Sequence, residues 1–115
     1  MCIRDSNGTG RHIVFSCSWP AYWNDAGMKI DYTYAAKSCN LWRLYGDISD
    51  SWDSVKGIVQ FYTSHQNEFQ PVAGPGNWND PDMLIIGNYG LSVDEQKAQF
   101  AISVSYTHLT LPTKA

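Results

Sequence analysis

The stretch "NLWRLYGDISDSWDSVKGIVQFYTSHQ", residues 40–66, changes its period in the middle, and that change sets the fold class. Asn40 to Tyr45 is a short β-type run. Beyond a polar break, apolar residues fall at Trp52, Val55, Ile58, Val59 and Tyr62, which is helical spacing, with Asp50 or Ser51 placed to act as N-cap. A strand followed by a helix is the unit of an α/β sheet, and the pattern recurs on both sides. Upstream, "HIVFSC" (His12 to Cys17) reads as a buried strand, Trp23 to Lys29 carries the loop signals Asn24, Asp25 and Gly27, and "YTYAAKSC" (Tyr32 to Cys39) fits a short helix. Downstream, "QPVAGPGNWNDPDMLIIG" (Gln70 to Gly87) predicts a short strand and a long Gly/Pro/Asn/Asp-rich loop. "LSVDEQKAQFAI" (Leu91 to Ile102) then opens a helix with Ser92 and Glu95 in capping-box spacing. Strands alternating with helices argue for parallel strands with crossover helices, hence α/β. Three strands leave both an open and a closed sheet possible.

At 115 residues the chain is long enough for one small domain, and 43% hydrophobic with 14% aromatic residues places it among globular sequences. Five tryptophans suit either a large core or a surface on which sugar faces stack. A net charge of −3 without a basic cluster argues against a nucleic-acid partner. No apolar run approaches the ~20 residues that span a bilayer, so no membrane role is expected. The opening residues carry no signal peptide; if the protein is secreted, its true N-terminus is missing.

Cysteines stand at Cys2, Cys17 and Cys39, a spacing that fits no zinc pattern, and no metal or other cofactor is expected. Cys17 and Cys39 can pair in an oxidising compartment or remain as buried thiols. Asn7 to Thr9 form an N-glycosylation sequon. The two ends, "CIRDS" and "SYTHLTLPTKA", break the pattern around them. Both strings resemble translated read-through of sequencing-library adapters. We therefore read residues 1–6 and 104–115 as non-native tails, Cys2 included, and 7–103 as the folded unit.

Two clusters can carry chemistry. Arg43 and Asp47 lie four apart across the end of a predicted strand, where α/β folds build their sites. Asp47 can serve as a general acid/base with Arg43 orienting a hydroxyl, or the two can form a plain surface ion pair. Asp80 and Asp82 flank Pro81 just past a strand. They can bind a metal or do acid/base work, or they can brace a loop through Asx-turns. The histidines His12, His65 and His108 assemble no triad with a serine.

Taken together and in order, "FSCSWPAY", "CNLWRLYGDISDSW", "PVAGPGNWNDPDMLIIGN" and "GLS" closely resemble the α-galactosidase and α-N-acetylgalactosaminidase family of retaining glycosidases, glycoside hydrolase family 27. The resemblance runs from Asn7 to about Ile102. It implies part of a (β/α)8 TIM barrel, about three strand–helix units, the fifth to the seventh, with 7–103 a partial catalytic domain. It also implies a lysosomal or secreted protein whose full-length form is a homodimer acting on glycans with terminal α-linked N-acetylgalactosamine or galactose.

Asp47, four residues after Arg43, matches the family's acid/base aspartate, and Arg43 matches a residue that contacts sugar hydroxyls. The family's nucleophile belongs to a K-x-D motif after the fourth strand, a part of the barrel that this sequence does not include. We accordingly expect no glycosidase activity from these 115 residues alone. Cys17 and Cys39 match two disulfide-bonded cysteines, and Asn7 matches a glycosylation site. A second family sequon reads "DYT" here, with Asp31 in place of the asparagine.

Galactose-specific members carry Glu and Leu where this chain has Ser18 and Ala21. Small residues there open room for a 2-acetamido group, with Ser18 as hydrogen-bond partner and Ala21 and Tyr22 as an apolar wall. The resemblance therefore implies α-N-acetylgalactosaminidase specificity. The alternatives are an α-galactosidase and a non-catalytic carbohydrate-binding homologue, and the intact Arg43–Asp47 pair speaks against the latter.

Overall fold

The computed structural model describes residues 8–108. Its sheet holds three parallel strands, β1 (Ser16–Cys17), β2 (Leu41–Arg43) and β3 (Trp78–Asp80), side by side in that order. Ser16 pairs with Leu41, and Leu41 in turn with Trp78. Between β1 and β2 run helices α1 (Trp19–Asp25) and α2 (Tyr32–Ser38). Between β2 and β3 run α3 (Trp52–Ser64), the short α4 (Gln66–Phe69) and a 3-10 turn at Gln70–Val72. Helix α5 (Val93–His108) follows β3. The chain is thus α/β, as the alternation of periods predicts.

The caps act as their residue types require. Ser51 starts α3 by accepting the Ser54 amide at 3.2 Å, and Asp31 starts α2 by accepting the Tyr34 amide at 3.1 Å. Before α5, Glu95 accepts the Ser92 amide at 2.8 Å while Ser92 Oγ faces the Glu95 amide at 3.4 Å. α3 turns Val55, Ile58 and Tyr62 inward. The main core gathers Trp42 and Leu44, both fully buried, with Ile58, Tyr62 and Phe69. Trp42 also brings a polar atom inside, and its indole N–H donates to Asn79 Oδ1 at 2.8 Å, joining β2 to β3.

Three expectations need correction. The strand expected over His12–Cys17 shortens to Ser16–Cys17, with Ile13 and Val14 exposed. β1 is an outer strand of the described sheet, and just before it a side chain adds to the backbone bond from the Asn40 amide to the Phe15 carbonyl at 2.9 Å. Asn40 Oδ1 accepts the Phe15 amide at 3.0 Å and Asn40 Nδ2 donates to the Gly76 carbonyl at 3.1 Å.

The residues after Cys17 are helical from Trp19 to Asp25, so the loop expected from Trp23 starts later. Pro20 sits in the first turn of α1, where its missing N–H costs no hydrogen bond. Asn24, Asp25 and Gly27, the apparent loop signals, are this helix's exit. The Gly27 amide donates to the Asn24 carbonyl and the Met28 amide to the Trp23 carbonyl, both at 2.9 Å, with Gly27 at φ 68°.

The third strand lies later than expected, at Trp78–Asp80, so Asp80 is its last residue. The preceding Gly-Pro-Gly segment closes a tight turn in which Gly74 and Asn77 exchange backbone hydrogen bonds at 2.8 Å. α5 runs on to His108, so its backbone geometry does not mark the expected tail boundary at 104.

Candidate active site

Parallel strands end at one edge of their sheet, so residues that follow them meet there however distant in sequence. Ser18 follows β1, Arg43 closes β2 with Asp47 four residues on, and Asp82 lies two residues past β3. A cavity of about 210 Å³ opens beside them, lined by Ser18, Ala21, Tyr22, Arg43 and Asp47. All five pocket residues singled out from sequence therefore border one space. Asp25 and Tyr45 border it too, and nothing in their local sequence pointed there.

Arg43 stands between two carboxylates. Its Nη1 meets Asp47 Oδ1 at 2.9 Å and its Nη2 meets Asp82 Oδ2 at 2.8 Å. Nη2 also reaches the Tyr45 carbonyl at 3.3 Å. The two partners differ in environment: the Asp47 side chain is 93% exposed, that of Asp82 only 9%. An ion pair in water contributes about 0–1 kcal/mol, so Asp47 can leave Arg43 for a ligand at small cost. The buried carboxylate keeps the guanidinium in place when it does.

Asp82 is held just as firmly. Its Oδ2 also accepts the Ile48 amide at 2.7 Å, and its Oδ1 accepts the Met83 amide at 2.7 Å. Its own amide donates to Asp80 Oδ1 at 2.9 Å, an Asx-turn across Pro81. The backbone there is left-handed, φ 77°, a conformation Asp tolerates better than most residues. Burial pushes the Asp80 carboxyl above the usual carboxylate range, against the opposing pull of the Asp82 amide and Arg43. Of the two readings of this pair, loop bracing describes the geometry. Among the described residues no three His, Cys, Asp or Glu side chains group to hold a metal ion.

Ser18 occupies the N-cap position of α1, yet its hydroxyl makes no capping hydrogen bond. Ala21 is buried and Tyr22 is 68% exposed. The cysteine before Ser18 is anchored, because Cys17 and Cys39 form a disulfide with Cα atoms 6.0 Å apart and both side chains buried. That bond ties the end of β1 to the segment entering β2. Asn7, the sequon asparagine, lies outside the described residues. A literal K-x-D does occur at Lys29–Asp31, but its aspartate is the α2 cap just described.

Sequence reasoning missed the glutamines of α5. The buried Gln99 accepts the Ile85 amide and donates to the Met83 carbonyl, both at 3.0 Å. Gln96 accepts the Gly87 amide and donates to the Leu91 carbonyl, also at 3.0 Å. Side-chain amides thereby serve the loop beyond Asp82 as a neighbouring strand would. Gln96 and Gln99 are one turn apart, which was the only local signal available.

A parallel sheet with a cavity and a charged cluster at the C-terminal edge of its strands is the arrangement by which α/β proteins bind ligands and build active sites. Comparison with known proteins gives the family. The profile described as alpha galactosidase A matches residues 2–110, and the chain belongs to that family. It is 59% identical over 96 residues to the alpha-N-acetylgalactosaminidase of Mus musculus, covering 84% of this chain and 23% of the relative. It is 56% identical over 96 residues to the Homo sapiens alpha-N-acetylgalactosaminidase, again 84% and 23%. Against the Homo sapiens alpha-galactosidase A the figure is 50% over 97 residues, 84% of this chain and 22% of the relative. The chain thus spans about a quarter of the length of these relatives.

Proposed function

We propose that this chain is a segment, residues 7–103, of the (β/α)8 catalytic domain of a retaining exo-glycosidase that removes terminal α-linked N-acetylgalactosamine from glycoconjugates. The segment corresponds to about the fifth to seventh strand–helix units of the barrel. The observation that carries the reading is the shared cavity: Ser18 and Ala21 border the same space as Asp47 and Arg43. Specificity residues and an acid/base residue have to face one sugar, and a shared cavity supports that reading. The names of the more similar relatives support the choice of sugar.

In this reading a carboxylate from outside the segment attacks the anomeric carbon. As that bond forms, the glycosidic C–O bond breaks and the Asp47 proton passes to the departing oxygen. Water then attacks the anomeric carbon, Asp47 takes its proton, and the nucleophilic carboxylate leaves. Arg43 holds sugar hydroxyls. Ser18 hydrogen-bonds the 2-acetamido group, and Ala21 and Tyr22 shelter its methyl. The oxidising route implied by the disulfide suits a lysosomal or secreted protein, glycosylated at Asn7 and homodimeric at full length.

The test is hydrolysis by the full-length protein of matched α-N-acetylgalactosaminide and α-galactoside substrates. A higher kcat/KM on the acetamido sugar is expected, with residual turnover of the galactoside, since one pocket group separates the two by a few kcal/mol at most. Faster galactoside turnover establishes the α-galactosidase reading instead. Full activity after Asp47→Asn overturns the acid/base assignment.

A further inference from the structure

The described geometry leaves Asp82 without a chemical role, although it is the most completely bonded charged side chain of the cluster. One carboxylate oxygen, Oδ2, serves two groups at once: the Arg43 guanidinium at 2.8 Å and the Ile48 amide at 2.7 Å. Those groups bracket Asp47 on both sides, four residues before it and one after. Gly46 precedes Asp47 and supplies no side chain to fix the turn. Asp82 itself is fixed by its left-handed backbone, by the hydrogen bond its Oδ1 accepts from the Met83 amide, and by the one its own amide donates to Asp80. A point on the loop after β3 thus sets both ends of the β2 loop that carries Asp47.

From this geometry we infer that Asp82 is a positioning residue for proton transfer: it aims Asp47 at the glycosidic oxygen by holding the Ile48 amide, and it retains Arg43 whenever Asp47 turns away to the substrate. Without Asp82, the one carboxylate still in ion-pair contact with Arg43 among the described residues is Asp47, Asp80 attracting it only from further away. The guanidinium then competes with the glycosidic oxygen for the very group that must donate the proton. The inference rests on Asp47 being the acid/base of the proposed reaction.

The substitution of choice is Asp82→Asn in the full-length enzyme. Asparagine accepts the left-handed backbone and keeps an oxygen for the Ile48 amide, while removing the charge that holds Arg43. Two α-N-acetylgalactosaminides are compared, one with a sugar or alkyl leaving group that needs protonation and one with a 2,4-dinitrophenyl group that leaves without it. Glycosylation is followed as kcat/KM and, for the dinitrophenyl substrate, as the pre-steady-state burst. General acid catalysis contributes about 10²–10⁴-fold, so an intact acid drawn onto the released Arg43 loses roughly 10–100-fold on the first substrate and under about 3-fold on the second.

The ratio of the two rates in one preparation is independent of how much of it is folded, so partial misfolding does not mask the result. Asp47→Asn is run in parallel and sets the full leaving-group dependence. Equal losses on both substrates with Asp82→Asn, or none on either, overturn the positioning role while the Asp47 control keeps its signature. If Asp47→Asn itself lacks leaving-group dependence, the acid/base assignment is what fails, and the positioning role falls with it.

Discussion

Asp50 and Gly90, forty residues apart, are in backbone contact: the Gly90 amide donates to Asp50 Oδ2 at 3.1 Å, and a Cβ on Gly90 would land on the Asp50 carbonyl oxygen. The contact joins the start of α3 to the segment entering α5, beside the small cluster of Val55, Ile85 and Leu91. Only a residue without a side chain permits this approach. Gly90→Ala in the full-length protein is expected to cost about 1–3 kcal/mol, the usual range for forced overpacking. The urea midpoint measures it, and an unchanged midpoint removes the contact from consideration.

Gln99→Leu keeps most of the side-chain volume and deletes both hydrogen bonds to the loop beyond Asp82. The Ile85 amide and Met83 carbonyl are then left without their partner, at about 1–3 kcal/mol for a buried unsatisfied group. Hydrogen exchange at the Ile85 amide should rise well beyond the global change. Exchange that stays at the wild-type rate means another group supports the loop.

The raised Asp80 carboxyl makes stability depend on pH in a stated direction. The folded state binds this proton more readily than the unfolded chain, so stability falls as pH rises from the ordinary carboxylate range through the folded value. Asp80→Asn keeps a side-chain oxygen for the Asp82 amide and removes that penalty. The variant should gain urea resistance at pH 7 relative to wild type and lose the advantage near pH 3. The opposite order at pH 7 means that Asp80's attraction to Arg43 outweighs its burial.

Replacing Cys17 and Cys39 by serine opens a loop closed across 22 residues, worth about 3 kcal/mol on chain-entropy grounds. Because Ser18 follows Cys17 directly, KM for the acetamido sugar should rise more than kcat falls. An unaltered KM in a protein of lowered stability would show the bond acting on folding alone.

Under the proposed specificity, Ser18→Glu with Ala21→Leu should narrow the space beside the 2-position and reverse the preference. Pocket changes of this size shift discrimination by roughly 10–200-fold. The ratio of kcat/KM for the two sugars reads the effect, and a ratio that does not move assigns specificity to other residues.

Short-range signals carried most of the fold. The caps at Ser51, Ser92 and Glu95 and the inward face of α3 were legible because each rests on residues three or four apart. α1 was not legible, because the Asn24–Gly27 residues that end a helix are the same ones that make loops. β1 was overestimated, because periodicity says what a strand face needs and nothing about whether a neighbour exists. At the site, the Arg43–Asp47 spacing stood in the sequence, while Gln99 offered only its one-turn spacing from Gln96. A glutamine that takes the place of a strand looks like any other until the loop it serves is in view.

What the sequence by itself determined is therefore the alternation of strand and helix, the caps, the ordered motifs of the alpha galactosidase A family and the residue types available for chemistry. Only the tertiary structure decided which of them share one space. Ser18, Asp47 and Asp82 belong to loops after three different strands, and it is parallel pairing that brings those loops to one edge. Only there does Arg43 divide between an exposed aspartate and a buried one, a difference set by the solvent around each carboxylate rather than by the residue type they share.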